Sequence, residues 1–209
     1  MKYLLLSFIS FLFLLTSTAL AASITSVKSG DWSDATVWST NTIPATGDSV
    51  TIASGHTVTY NVLSDAVLAD VNVNGILKFS RATSTRIKTS GNILVNNGGY
   101  LDMGTATDFI PKTIKAEIIF VLTSAQADAY VGGFLFQPTD KGLWVFSGGR
   151  WETHGFPLMR TWSKLASDAP VGATTLTVDN NVSDWYTGGT VVITSTNVGG
   201  RQNEVRIIT

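Results

Sequence analysis

The sequence contains no cysteine and few charged residues. Lys and Arg number 14 and Asp and Glu number 15, so charged side chains make up only 14% of the 209 residues, against about 25% in a typical soluble domain. Without cysteine the chain has no disulfide framework, no thiol nucleophile and no thiolate metal site. The formal net charge of −1 provides no basic surface for a phosphate backbone, so we expect no nucleic-acid partner.

Histidine is also scarce. The two histidines, His56 and His154, are nearly a hundred residues apart in the sequence. A zinc site built mainly from histidine is therefore not expected, because such sites need several imidazole ligands in one place. We predict neither a bound metal nor any other cofactor.

Long apolar runs are confined to the start of the chain. Lys2 precedes an apolar stretch over residues 3–15, and Ala19–Ala21 has the small-x-small pattern of a signal-peptidase site. The stretch is shorter than the roughly 20 residues that a membrane span needs. We predict a signal peptide over residues 1–21 and a secreted or cell-surface domain over residues 22–209 without a membrane span, an uncleaved membrane anchor being the alternative.

The rest of the chain is rich in strand-forming residues. Thr, Val and Ile account for 58 of the 188 residues that follow Ala21, and their β-branched side chains favour strands. Helix signals are limited to residues 124–130, where Ser124 can cap a short alanine-rich turn. The composition therefore predicts an all-β protein with at most one short helix.

Alternating apolar residues recur around a glycine four times. The first three copies surround Gly55, Gly75 and Gly99, which are 20 and 24 residues apart, and a weaker fourth copy surrounds Gly149. Repeats of this length are typical of a solenoid, in which each coil lays short strands on the coil below. We predict a right-handed parallel β-helix, with an antiparallel β-sandwich as the alternative. The 50 residues from Gly99 to Gly149 correspond to about two coils, so a further coil is expected there.

The pattern changes after Gly155. Residues 170–177 and 188–196 are predicted to form two strands around a turn-rich segment, and residues 204–209 a third strand. We therefore expect a β-hairpin region after the solenoid. Because the last strand pattern reaches Thr209 without a polar cap, and solenoid ends are usually capped, we also expect the parent protein to continue beyond this residue.

Several segments resemble the G8 domain, an extracellular β-rich family named for its glycines. The resemblance covers roughly Val27 to Thr209 and implies a β-helix-like fold. It also implies a secreted or cell-surface protein, because some family members are linked to hyaluronan binding or breakdown and others to ciliary membranes. It supplies no catalytic residue. The segments are GDWSDATVW (30–38), PATGDSVTIASGHTV (44–58), GILKF (75–79), GGYLDMG (98–104), GGRWETHG (148–155) and WSKL (162–165).

These motifs contain residues with an expected structural role. Trp32 and Trp38 are predicted to close the first coil with their large apolar surfaces, and Asp48 is predicted to accept backbone N–H groups in a turn. The motif glycines lie where strands meet turns, so we expect positive φ angles or close approach of neighbouring backbone. The glycines are Gly30, Gly47, Gly55, Gly75, Gly99, Gly104, Gly149 and Gly155.

Alternation directs a set of polar side chains outward from the predicted sheet. A binding site for an acidic polysaccharide needs an aromatic ring on which a sugar can stack, carboxylates that form hydrogen bonds, and a cation that binds a glycan carboxylate through two hydrogen bonds. The same alternation places Trp151 in the core and predicts an ion pair between Lys78 and Asp102 on neighbouring coils. The candidate carbohydrate-binding residues are Lys78, Tyr100, Asp102, Arg150 and Glu152.

Three functions follow from these features. The favoured one is a non-catalytic module that binds an extracellular polysaccharide, hyaluronan-like or otherwise acidic. The second is the N-terminal part of a β-helical glycan hydrolase or lyase. For a hydrolase, Asp102 and Glu152 would lie about 10 Å apart if two coils separate them, at the far limit for an inverting enzyme, and for a lyase His154 is a candidate base beside Arg150. The third is the structural stalk of an adhesin. No catalytic or metal-binding residue is predicted.

Overall fold

The computed structural model describes residues 21–125, 140–194 and 203–209. Within these ranges the chain forms fifteen β-strands and a short 3₁₀ helix, Ala35–Val37. Residues 124 and 125 are helical, and the rest of the predicted helix lies outside the described residues, as does most of the predicted signal peptide. In the described ranges no helix has the length and apolar character needed to cross a membrane.

Three sheets of parallel strands make up most of the described structure. Sheet 1 has the order β1 (Ser23–Thr25), β3 (Ser49–Ile52), β6 (Val71–Val73), β9 (Ile93–Val95) and β12 (Leu143–Val145). Sheet 2 has the order β13 (Arg150–Thr153), β10 (Tyr100–Met103), β7 (Ile76–Phe79), β4 (Thr57–Tyr60) and β2 (Gly30–Asp31). Sheet 3 has the order β11 (Ala116–Phe120), β8 (Thr85–Thr89) and β5 (Leu63–Leu68).

The chain visits these sheets in a fixed order. Strands β3, β4 and β5 belong to sheets 1, 2 and 3 in turn, and so do β6, β7 and β8 and then β9, β10 and β11. Each strand pairs in parallel with the strand of the same sheet in the next repeat, as β4 does with β7 and β7 with β10. The antiparallel sandwich is therefore wrong as an alternative, because all the pairings within the three sheets are parallel.

Alternation explains why these segments form strands with a shared core. Strands β3, β4 and β7 each show buried side chains at every second position. Their β-branched and aromatic residues suit a pleated strand and bury one face. Among the described residues, every buried hydrophobic side chain lies between Ile24 and Ile110. The core therefore sits among the first four repeats of the three sheets.

The interval from Gly99 to Gly149 contains one repeat and not two. Strand β13 pairs directly with β10, with Leu101 beside Trp151, and β12 pairs directly with β9. No other strand lies between these partners, so the predicted additional coil is absent from sheets 1 and 2. The extra length is taken up by the connection after β10, by β11 and by residues 126–139, which lie outside the described residues.

The region after Gly155 differs in part from the prediction. Strands β14 (Thr190–Ile193) and β15 (Glu204–Ile207) form an antiparallel pair, whereas the sequence predicts two strands, residues 170–177 and 188–196, around the turn-rich segment and leaves the third strand without a stated partner. Residues 170–177 do not form the predicted strand, and only an isolated bridge between Leu165 and Val178 is present nearby. Most side chains in this segment are exposed, so its alternating apolar residues do not pack against a sheet.

Tryptophan closes the β2 end of sheet 2. Trp32 and Trp38 are 2% and 1% exposed, and their rings lie edge to face with centroids 4.7 Å apart. The indole of Trp38 donates a hydrogen bond to the Trp32 carbonyl at 2.9 Å, and the Trp32 ring also packs against Tyr60. Asp48 accepts backbone N–H groups from Ala22 and Ala45, each at 2.8 Å, and thereby holds the turn before β3.

Two glycines show why a side chain is not tolerated between repeats. A Cβ at Gly99 would lie 1.9 Å from the Val73 carbonyl oxygen in the repeat below. Gly104 has a φ of +111°, and a Cβ there would lie 2.1 Å from the His154 carbonyl oxygen. Gly155, by contrast, shows neither a positive φ nor an atom within 4 Å of an added Cβ.

Candidate functional site

The outward face of sheet 2 carries the polar side chains singled out by the sequence. Leu77 and Leu101 point inward and are fully buried, so the residues that alternate with them point outward. The register places Tyr100 beside Arg150 and Asp102 beside both Lys78 and Glu152. The five candidate residues therefore lie on three consecutive strands.

Tyr100, Arg150, Glu152 and His154 form one group of contacts, which we call the Tyr100 cluster. The Arg150 guanidinium lies over the Tyr100 ring, 4.7 Å from its centroid, and also donates a hydrogen bond to Glu152. The Tyr100 hydroxyl donates to the same carboxylate at 2.8 Å, and the His154 Nε2 lies 3.5 Å from its other oxygen. Arg150 nevertheless remains 65% exposed, so its planar cation is accessible from solvent.

Charge and burial set the protonation of this cluster. Partial burial and the hydrogen bond to Glu152 raise the pKa of Tyr100 to about 12, so its hydroxyl remains a donor at neutral pH. The hydrogen bond from Tyr100 and the nearby Arg150 cation lower the pKa of Glu152 below its ordinary value. At neutral pH the cluster thus presents a phenol, a carboxylate and a guanidinium on one face.

A second group, the Arg81 network, contains Arg81, Asp102, Asp108 and Lys78. Arg81 donates to the Asp102 carboxylate at 2.5 Å, and the Gly104 backbone N–H donates to the same oxygen at 2.8 Å. Arg81 also donates to the Asp108 carbonyl at 3.1 Å. The network ties the end of β7, strand β10 and the connection after β10 together.

The predicted ion pair between Lys78 and Asp102 is wrong, although the register does place the two residues side by side. Lys78 instead pairs with Asp108 at 3.0 Å and lowers the pKa of that carboxyl by its hydrogen bond. Asp102 is buried, 5% exposed, and its carboxylate accepts from Arg81 and from the Gly104 N–H. Asp102 is therefore held inside the protein and is not free to contact a ligand.

Sequence reasoning missed Arg81 and Asp108. Neither belongs to the alternating strand pattern, since Arg81 follows β7 and Asp108 lies in the connection after β10. One feature of the sequence could have indicated a cation near Asp102. A carboxylate that is buried on a sheet needs a cation as its partner. Arg81 lies two residues beyond Phe79, at the end of the neighbouring strand, which makes it the natural partner.

Asp102 and Glu152 lie closer together than the sequence suggested. Their strands are direct neighbours, so their backbones are about one strand spacing, about 4.8 Å, apart instead of about 10 Å. The lowered pKa of Glu152 keeps it ionised, which is unsuitable for the proton donor of a glycosidase. Asp102 accepts its hydrogen bonds from Arg81 and from the Gly104 N–H. The pair is consequently arranged as fixed hydrogen-bond acceptors.

The expected burial of Trp151 is wrong. Its register partner Leu101 is fully buried, which confirms its inward direction, but Trp151 is 49% exposed. In the described part of the chain β13 is the outermost strand of sheet 2, so no further described strand of that sheet covers the ring. In the described ranges, no group of three or more His, Cys, Asp or Glu side chains is placed to hold a metal ion.

Comparison with known proteins identifies relatives of the chain. The sequence model of the G8 domain matches residues 37–166, more than half of the chain. Protein rliB of Dictyostelium discoideum is 27% identical over 186 residues, which cover 85% of this chain and 16% of rliB. Fibrocystin-L of Homo sapiens is 29% identical over 175 residues, which cover 83% of this chain and 4% of Fibrocystin-L. The chain thus spans less than a fifth of these relatives' lengths, and no solved structure matches it significantly.

Proposed function

Because this chain belongs to the G8 domain family, we propose that it is a secreted or cell-surface module that binds an extracellular acidic polysaccharide without chemically changing it. The observation that carries the proposal is the Tyr100 cluster on the outward face of sheet 2. There an exposed guanidinium lies over an aromatic ring and beside a hydrogen-bonding carboxylate.

Each group in the Tyr100 cluster has a role that suits a glycan carboxylate. Arg150 can donate two parallel hydrogen bonds to a carboxylate, which lysine cannot do. The Tyr100 ring fixes the guanidinium plane and adds apolar surface for a sugar ring. Glu152 holds Arg150 and Tyr100 in place and can accept from sugar hydroxyls. Lys78 supplies a second, half-exposed cation on the same face.

Affinity electrophoresis in gels containing hyaluronan, pectin or alginate tests this proposal, with a neutral dextran gel as reference. We expect retardation in at least one acidic gel and none in dextran. Arg150→Ala should weaken binding about tenfold or more, because it removes the charge-assisted hydrogen bonds to the glycan carboxylate, and Tyr100→Ala should weaken it similarly. Arg206→Ala is the matched control, because Arg206 pairs with Glu204 as Arg150 does with Glu152 but lies on β15.

Two results would contradict polysaccharide binding at this face. One is equal mobility of the wild-type chain in all gels. The other is equal loss of retardation in Arg150→Ala and Arg206→Ala, which would indicate binding by overall charge and not by the Tyr100 cluster. A third measurement, the release of new reducing ends or unsaturated products from each polysaccharide, would support the hydrolase or lyase in place of a binding module.

We further propose that the three parallel sheets are the faces of a right-handed parallel β-helix. The repeated order of sheets 1, 2 and 3 along the chain supports this, as does the parallel stacking of β4, β7 and β10. Crossover connections between parallel strands are right-handed in nearly all proteins. A crystal structure tests the proposal, and sheets that do not enclose a common core would contradict it.

Export is the remaining part of the proposal. The apolar stretch over residues 3–15 and the small residues before Ala22 support cleavage after Ala21. The test is the intact mass of the chain recovered from the medium of cells that express the full sequence. A mass that begins at Ala22 is expected. Retention of residues 1–21 in a membrane fraction would favour the uncleaved anchor.

A further inference from the structure

Among the residues that the structure describes, no strand pairs with the outer edge of β13, which we call the free edge of sheet 2. The backbone N–H groups of Arg150 and His154 donate to the Gly99 and Met103 carbonyls of the β10 side at 2.9 and 3.3 Å. Successive residues of a strand direct their N–H and C=O groups to opposite sides. Trp151 and Thr153 therefore direct theirs away from β10, along an edge whose side chains are largely exposed. Such an edge is a template for another strand.

The two ends of sheet 2 differ in how their tryptophans are covered. At the β2 end, Trp32 and Trp38 are 2% and 1% exposed. At the β13 end, Trp151 points toward the same interior as Leu101 but is 49% exposed. The free edge of β13 therefore combines backbone groups that pair with no described strand and a large apolar side chain on its inward face.

The sequence of β13 is complementary to itself when two copies run antiparallel. A two-fold axis at Trp151 places the two Trp151 residues opposite each other. It also places Arg150 of each copy opposite Glu152 of the other, with both side chains on the outward face. A shift by one residue would instead oppose inward and outward side chains. In the unshifted register the Trp151 N–H and C=O groups, which point to the free edge, form a mutual hydrogen-bonded pair.

We propose that two copies of this chain associate by antiparallel pairing of their β13 edges about a two-fold axis at Trp151. The partner is a second copy because a second β13 strand supplies the opposite charges, the matching side-chain directions and the backbone hydrogen-bond partners that this edge needs. The contact covers both Trp151 rings and joins the outward faces of the two copies of sheet 2. The two Tyr100 clusters then lie side by side on one surface.

Variants with reversed charges on β13 test this contact, and sedimentation equilibrium measures their dimerisation. No polysaccharide is present, so the result does not depend on glycan binding. The wild-type chain should dimerise. Arg150→Glu and Glu152→Arg should each raise the dimer dissociation constant about tenfold or more, because each puts like charges opposite one another twice. The double variant carrying both changes restores opposite charges at both positions and should dimerise again.

Strand β15 provides the matched control, because Glu204 and Arg206 repeat the same charge spacing on an exposed strand. Arg206→Glu should leave the dimer intact. A wild-type chain that is monomeric at all concentrations would overturn the proposal. So would a dimer that Arg206→Glu dissociates and Arg150→Glu does not, since that result assigns the contact to β15.

The absence of cysteine allows a test of the register itself. Across the proposed axis the two Trp151 Cα atoms are about 5.5 Å apart, within the about 4.4–6.8 Å that a disulfide spans. Trp151→Cys should therefore form a covalent dimer on mild oxidation. Thr153→Cys, on the same strand, would place its two sulfurs about 13 Å apart along the strands and should not. Cross-linking through Thr153→Cys but not Trp151→Cys would overturn the two-fold position.

Discussion

At the scale of the single residue, the ionisation of Tyr100 reports the state of its cluster. Partial burial and the hydrogen bond to Glu152 raise its pKa to about 12, against about 10 for tyrosine in an unfolded chain. We expect an alkaline titration of the folded protein, followed by tyrosinate absorbance, to contain a step near pH 12. This step should disappear in Tyr100→Phe and remain in Tyr186→Phe, which removes a tyrosine from a different region.

The same shift has a consequence for stability at high pH. Because the unfolded chain releases the Tyr100 proton at a lower pH than the folded chain does, the contribution of Tyr100 is fully present below about pH 10 and is lost as pH rises toward 12. The free energy of unfolding should therefore fall less steeply over this range in Tyr100→Phe than in the wild type. Equal slopes in the two proteins would contradict the raised pKa of Tyr100 in the folded chain.

Gly99 provides a second prediction for a single residue, this time about packing between repeats. A Cβ there would lie 1.9 Å from the Val73 carbonyl oxygen, a backbone atom that cannot move without displacing β6. We expect Gly99→Ala to lower the free energy of unfolding by about 1–3 kcal/mol, the usual cost of overpacking. Gly155→Ala meets no atom within 4 Å and should change it by less than about 0.5 kcal/mol. Urea denaturation of both variants measures the difference, and equal effects would exclude close approach as the reason for glycine at position 99.

At the scale of the element, the Arg81 network fixes the connection after β10 to sheet 2. The side chains of Arg81 and Asp102 are only 14% and 6% exposed, and removal of Asp102 leaves the buried Arg81 cation with only the longer, 3.5 Å pair to the half-exposed Asp108. Asp102→Ala should therefore lower the free energy of unfolding by about 3 kcal/mol. Lys78→Ala breaks a half-exposed pair with Asp108 and should lower it by less than about 1 kcal/mol. Thermal or urea unfolding measures both, and a larger loss from Lys78→Ala would contradict the assignment of Arg81 as the stabilising cation.

Elements also show what a sequence can and cannot predict in this fold. Alternation around Gly75 and Gly99 correctly predicts that Leu77, Leu101 and Trp151 occupy equivalent positions, because strand geometry fixes the direction of each side chain. It does not predict what covers that side chain. Trp151 is exposed because β13 is the outermost described strand of its sheet.

The candidate site follows the same rule. The alternating pattern brings Tyr100, Arg150 and Glu152 together, and the structure places these three side chains in mutual contact. The pattern fails for the pairing of Asp102, because Arg81 at the end of β7 binds that carboxylate and the connection after β10 supplies Asp108 as the partner of Lys78. The path of an irregular connection depends on tertiary contacts that a strand period does not encode.

At the scale of the whole molecule, apolar burial is concentrated in one part of the chain. All the buried hydrophobic residues described lie between Ile24 and Ile110, whereas Met159 and Trp162 are 72% and 62% exposed. Regions with few buried apolar contacts open at lower free energy than sheets with a continuous core. Stability should therefore differ between the parallel sheets and the segment that follows Gly155.

Limited proteolysis with trypsin tests this difference across the molecule. Arg160 and Lys164 are exposed and lie outside the strands, whereas Arg86 and Lys88 are part-buried in β8 between two neighbouring strands. Cleavage requires a protease to bind an opened backbone, so its rate follows the free energy of local opening. We expect the first fragments, identified by mass spectrometry, to end at Arg160 or Lys164, with β8 remaining uncut. Early cleavage at Arg86 or Lys88 would show instead that sheet 3 opens before the segment after Gly155 does.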